Sequence, residues 1–178
     1  LRGAQLSDTP FLERGLEPEG GQAYDTSEAF DALLDDLSSR ELDLVVVTGD
    51  IADHGRAEQS EIAAAAFARL PCPVFVCPGN HDYDSPFRTA FQAPDVFVPR
   101  VTHHGPWSFV YADSNAGAMG ADDSGRLLDP PGEDRLHGNG SLGEAESAWL
   151  RAATTAHDAD HVFVWVRHPP DADVPLCN

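Results

Sequence analysis

The stretch VFVCPGNHD, Val74 to Asp82, sets an apolar run directly against Gly, Asn, His and Asp. Val, Phe and Val suit a buried strand, while the residues that follow it carry the donor and acceptor atoms of a site. Working outward from it, LDLVVVTGD (42–50) repeats the arrangement: a strand expected to be fully buried, ending at Thr48, then Gly49 and Asp50. GAQLS (3–7) is a shorter and weaker strand running into Asp8. Between these runs lie two helical patterns. Phe30, Leu33, Leu34 and Leu37 recur at helix spacing after Asp25, a candidate N-cap with Glu28 three residues on, and a second helix is expected from Ala57 to Leu70. Strand, helix, strand, helix, strand predicts a parallel sheet with helical crossovers, and such sheets bind ligands at the carboxyl ends of their strands. The polar residues Asp8, Asp50, Asp53, Asn80, His81 and Asp82 all fall at those ends.

The rest of the chain reads more loosely. Ser85 and Pro86 open a short helix to Gln92, and WSFVYAD (107–113) reads as a strand. Residues 114–140 are rich in Gly, Asp and Pro and read as loop. Ser141 and Glu144 have the spacing of a capping box for a helix to about Ala156, and HVFVWVR (161–167) is a final strand. With 178 residues, no internal repeat and no linker, residues 1–178 are expected to form one domain.

The formal charge of −19, from 30 acidic against 11 basic side chains, sets the surface against long nucleic acid and anionic membrane. All the basic residues are arginines. Cys72 and Cys77 stand five apart on an extended run, so they point to opposite faces and are not expected to pair. That points to a reduced, cytoplasmic setting. LRGAQLSDTP lacks the apolar centre of a signal peptide, and no apolar run of about 18 residues is present to span a bilayer.

Carboxylates, an Asn carbonyl and imidazoles converging at strand ends suit a divalent ion such as Mn, Fe or Zn. In GDIAD (49–53), Gly49 turns the backbone, Asp50 projects towards the site and Asp53 braces it. A carboxylate such as Asp50 is able to bridge two metals about 3.5–4 Å apart, the spacing used in two-metal phosphoryl hydrolysis. Singly, a Gly-Asp turn or an Asn-His loop is more often plain local hydrogen bonding; three successive strand ends carrying such groups argue for a site. His103 and His104 read as surface or packing residues, and His54 as a loop residue near the site.

These residues resemble the calcineurin-like metallophosphoesterase superfamily, and within it the class III cyclic nucleotide phosphodiesterase group. SDTPF (7–11) corresponds to the family's first motif, GDIAD to GDxxD, and GNHD (79–82) is intact; SAWL with HVFVWVRHPP resembles the segment leading to His-His-Pro-Pro. The resemblance covers essentially the whole chain. It implies an α/β fold, a two-sheet sandwich flanked by helices, with a dinuclear metal centre that hydrolyses phosphodiesters, cyclic nucleotides among them, or phosphomonoesters. It implies Asp8, Asp50, Asn80 and His168 as metal ligands, with His81 assisting the leaving group and Asp82 orienting it.

The pattern also departs from the family. Pro10 stands where the first motif has a His, Arg167 stands where the first His of the His-His pair is expected, and the closing Gly-His-x-His is absent. Two protein ligands per ion is too few for tight binding by most divalent metals, so metal occupancy is expected to be reduced or absent. Alternation along a strand sends residues 167 and 168 to opposite faces, so His168 is not expected to replace Arg167 without a local twist. If Arg167 takes the place of a metal-binding His, its guanidinium is expected beside Asp50 and Asn80. A chain truncated relative to the family is also expected to leave the second sheet incomplete, with the VFVWV edge unpaired or paired with another copy. Two functions stay open: a metal-dependent phosphoesterase acting on a small phosphoester or nucleotide, or a catalytically impaired binding or regulatory module of the same fold.

Overall fold

The structure is a computed structural model and describes residues 1–9, 27–52, 55–82, 84–116, 140–155 and 158–168. Strand β1 (Gly3–Leu6), helix α1 (Ser27–Ser38), strand β2 (Leu44–Thr48), helix α2 (Ala57–Phe67), strand β3 (Val74–Cys77) and helix α3 (Asp84–Ala90) follow in order. Next come the short strands β4 (Gln92–Ala93) and β5 (Val96–Phe97), then β6 (Val101–His104), β7 (Trp107–Tyr111), helix α4 (Gly143–Ala153) and β8 (His161–Trp165). They form two sheets, one ordered β1-β2-β3-β5-β4 and one ordered β6-β7-β8. β1, β2, β3 and β5 run parallel, as the strand–helix alternation predicts, with Leu6 opposite Val47 and Thr48 opposite Cys77.

The apolar run of β2 explains the layering. Side chains alternate across a strand, so Val45 and Val47 pack under the helices with Phe30, Leu34, Phe67 and Phe87. Leu44 and Val46 face the other way, towards Phe109 and Tyr111 of the second sheet. A strand buried on both faces has to be apolar throughout, and LVVVT is buried at every position. Phe30 and Phe67 meet edge to face at 5.5 Å on the helical side; Phe75 meets Phe97 at 5.3 Å and Tyr111 at 5.7 Å between the sheets. This is the sandwich flanked by helices that the sequence implies.

In the second sheet β7 pairs antiparallel with β6 and parallel with β8, and β8 pairs only with β7 among the described residues. Phe163 of β8, level with Phe109 in the register, is 45% exposed.

Several local expectations are corrected. Helix α4 begins at Gly143, its N-cap is Leu142, and no side-chain hydrogen bond caps it. The Ser141/Glu144 capping box does not form, because the Ser141 N–H is taken instead by the Ser114 carbonyl at 2.6 Å. Helix α2 ends at Phe67, short of Leu70, where Arg69 and Leu70 tighten to three-residue bonds on Ala66 and Phe67. The strands β4, β5 and β6 escape sequence reading since two are dipeptides and VTHH is polar. The expected N-cap at Asp25 lies outside the described residues, as do Pro10, Asp53, His54, Cys177 and most of the 114–140 loop. Among the described residues no helix is long and apolar enough to cross a membrane.

Candidate functional site

Three parallel strand ends build the site. Asp8 lies two residues past β1, Asp50 two past β2, and Asn80 three past β3. Because the strands are in register, these residues come to one edge; the Asp8 N–H donates to the Gly49 carbonyl at 3.2 Å. Asp8 and Asp50 both adopt left-handed backbone, φ 54° and 52°. Aspartate tolerates that region better than most residues, but two such positions at one edge mark a segment that its surroundings hold in place.

The two loops after β2 and β3 touch through glycine. A Cβ on Gly49, whose φ is +85°, would lie 2.6 Å from the Gly79 nitrogen, and a Cβ on Gly79 would lie 2.1 Å from Asp50 Oδ1. Asp82 then ties the loops together. Its Oδ1 accepts the N–H groups of Ile51 and Ala52, both at 3.0 Å, and its Oδ2 accepts that of Gly79 at 2.8 Å. Complete burial pushes the Asp82 carboxyl up to about 6 against the pull of those three donors. His81, next in the chain, donates its backbone N–H to Asp50 Oδ1 at 3.3 Å.

Arg167 closes the cluster. Its Nη2 donates to Asp8 Oδ1 at 2.6 Å and to Asp50 Oδ2, and its Nε donates to the same Asp50 oxygen at 3.1 Å. The guanidinium thus lies beside Asp50 as the sequence suggests, though its other partner is Asp8 and not Asn80. Asn80 is met by the neighbouring residue: His168 Nε2 is 3.2 Å from Asn80 Oδ1. His168 is buried, with Nδ1 2.7 Å from Ser114 Oγ, which also accepts the His168 backbone N–H at 3.3 Å. The Asn80 amide oxygen only accepts, so Nε2 carries the ring proton and donates to it, and Nδ1 accepts a hydrogen bond from the Ser114 hydroxyl. Burial, and then the Arg167 charge, hold the His168 pKa below the ordinary imidazole value, consistent with a neutral ring.

The local twist that bringing both residues to one side requires is present here. Arg167 and His168 both reach the strand-end cluster although they are adjacent in sequence. β8 ends at Trp165, and residues 167 and 168 lie in a bend where strand alternation no longer applies.

The sequence reading missed Ser114, Asn115 and Gly140. Asn115 is fully buried and donates Nδ2–H to the Gly79 carbonyl at 2.8 Å, while a Cβ on Gly140 would fall 2.3 Å from His168 Cγ. The signal for the first two was present: ADSN (112–115) is a fourth polar run directly after an apolar strand.

These donors do not fit a metal pair in this arrangement. Both Asp50 oxygens, Asp8 Oδ1 and Asn80 Oδ1 are engaged by N–H groups. Among the described residues no three His, Cys, Asp or Glu side chains form a group able to hold a metal ion.

The profile of the family described as calcineurin-like phosphoesterase matches residues 1–174. The chain is 28% identical over 174 residues to a probable glycerophosphodiester phosphodiesterase GpdQ of Arcobacter nitrofigilis, covering 93% of this chain and 56% of that protein. It is 29% identical over 181 residues to the glycerophosphodiester phosphodiesterase GpdQ of Enterobacter lignolyticus, covering 98% and 58%. It is 25% identical to the 3',5'-cyclic adenosine monophosphate phosphodiesterase CpdA of Escherichia coli, covering 96% and 56%. The chain thus spans a little over half the length of these relatives.

Proposed function

The chain belongs to the calcineurin-like phosphoesterase family, and from that premise we propose that its strand-end cluster is a phosphoester-hydrolysing site for phosphodiesters, cyclic nucleotides among them, or phosphomonoesters. The observation that supports this most is the convergence of Asp8, Asp50 and Asn80 on one sheet edge, with His81 following Asn80 directly. The names of the relatives, glycerophosphodiester and cyclic nucleotide phosphodiesterases, support the substrate class. In this reading a small phosphoester or nucleotide meets His81; water attacks the phosphorus, the ester P–O bond breaks, and the His81 ring gives a proton to the leaving oxygen. Asp82 acts one step removed: by clasping the amides of Ile51, Ala52 and Gly79 it sets the height of His81 relative to Asp50. Asn80, held by His168, presents a fixed amide at the same edge.

A specific observation favours a second reading. The Arg167 guanidinium already compensates Asp8 and Asp50, which suits a site that binds a phosphoester or nucleotide without turning it over. The same family supplies the fold in either case.

Hydrolysis of bis(p-nitrophenyl) phosphate and of cyclic AMP, with and without added manganese, separates the two. Turnover that falls about a hundredfold in His81→Ala supports hydrolysis. Saturable binding of cyclic AMP by calorimetry, with no product formed, supports the binding module. Neither product nor binding would leave both readings without support.

A further inference from the structure

We infer that Arg167 is a built-in cation on the carboxylate pair of Asp8 and Asp50, and that a divalent metal enters this site only by displacing it. The inference concerns the same edge as the proposed function but does not rest on turnover.

The geometry is that of a seated side chain. One nitrogen, Nη2, bridges the two carboxylates while Nε holds Asp50 a second time, a forked arrangement that a guanidinium makes and an ammonium does not. The stem is seated as well: a Cβ on Gly49 would come within 3.0 Å of Arg167 Cδ, so the absence of a side chain at position 49 makes the channel through which the arginine passes. The Arg167 side chain is 21% exposed and that of Asp50 is 12% exposed, so this pair is shielded far more than a surface ion pair. Both carboxylates approach it from left-handed backbone.

Charge explains what the arrangement does. Two carboxylates at one sheet edge repel each other and need a nearby cation. A metal ion supplies one only while it is bound, and its occupancy follows metal supply. A guanidinium is charged at every workable pH and is covalently tethered, so compensation here is constant. For a metal to take the pair, three charge-assisted hydrogen bonds must break and the guanidinium must leave the cluster, since two cations would otherwise share one site.

The test uses the chain at full length, stripped with chelator and then dialysed against manganese, with bound metal read by mass spectrometry and Tm read in parallel. Wild type should take up little manganese, and its Tm should not respond to it. Arg167→Gln removes the charge and leaves a neutral amide, and Arg167→Met removes it with no oxygen donor; both should bind manganese at least about tenfold more tightly, with a Tm that rises as manganese is added. Arg167→Lys keeps a tethered charge and should stay close to wild type, which a purely steric role would not require. Equal manganese affinity in wild type and Arg167→Gln overturns the inference. Should Arg167→Gln not fold, wild type and Arg167→Lys decide together: stoichiometric uptake by wild type at micromolar free manganese overturns it, and no uptake there by either chain upholds it. Neither readout uses hydrolysis. A manganese-loaded Arg167→Gln chain inert towards bis(p-nitrophenyl) phosphate would leave the inference standing and remove the hydrolytic reading.

Discussion

Gly49 and Gly79 stand back to back: a Cβ on either would collide with the other's loop, at 2.6 Å from the Gly79 nitrogen in one direction and 2.3 Å from the Asp50 nitrogen in the other. That contact brings the turn after β2 against the turn after β3, and through it Asp50 comes alongside Asn80. Neither glycine is replaceable by even one methyl group without moving backbone.

Gly79→Ala should therefore destabilise the chain by about 1–3 kcal/mol, the range for forcing an extra carbon into a filled space. Gly49→Ala carries the further cost of a left-handed backbone at φ +85°, on the order of 1 kcal/mol. Urea unfolding of both variants measures this; a midpoint within error of wild type for Gly79→Ala would show that the loops are not in contact.

The two carboxylates on Arg167 should not be equivalent. Asp50 is 12% exposed and Asp8 is 60% exposed, so solvent screens the Asp8 pair and much less the Asp50 pair. Asp50→Asn is expected to cost about 2 kcal/mol and Asp8→Asn about 0.5 kcal/mol or less. Asn is the informative substitution because it keeps the tolerance for positive φ that both positions need. Equal losses in denaturant unfolding would contradict the difference in burial.

Acid sensitivity should trace in part to His104. Its ring packs against Phe75 at 5.6 Å and Phe109 at 5.2 Å, and burial, followed by the nearby His103, lowers its pKa below 6.5. A lowered imidazole pKa means that the folded state binds the proton less well than the unfolded one. The stability His104 contributes is complete above pH 6.5 and is lost as pH falls through the lowered folded value. His104→Phe keeps the ring contacts and cannot titrate, so its unfolding free energy should decline less than that of wild type between neutral pH and pH 5. Parallel declines would assign the acid loss to other groups.

Cys77 should be inert in the native chain. It is 1% exposed, and burial pushes its thiol far above the ordinary range. Peptide mapping after brief alkylation at pH 8 should find Cys77 unmodified in native protein and fully modified in urea. Modification under native conditions at the rate of a free thiol would mean that β3 opens readily.

Local pattern was enough for the parallel sheet. Val74–Cys77 and Leu44–Thr48 are apolar on both faces and are separated by a helix, a combination that admits few other arrangements. The place of the site followed as well, since polar residues directly after buried strands have to collect at one edge. The partners of those residues did not follow. Arg167 and Asp8 are 159 residues apart, and Ser114 and His168 are 54 apart; nothing in their neighbourhoods encodes the pairing. Strand alternation placed Arg167 and His168 on opposite faces, and only the chain's leaving β8 after Trp165 lets both turn towards the cluster. The resemblance implied that Asp82 orients His81; the folded chain adds that its two oxygens accept three loop amides, which no local pattern announces. Sequence periodicity fixes which face a side chain takes within an element; which groups meet beyond the ends of elements depends on how the loops close, and that is a property of the whole packed chain.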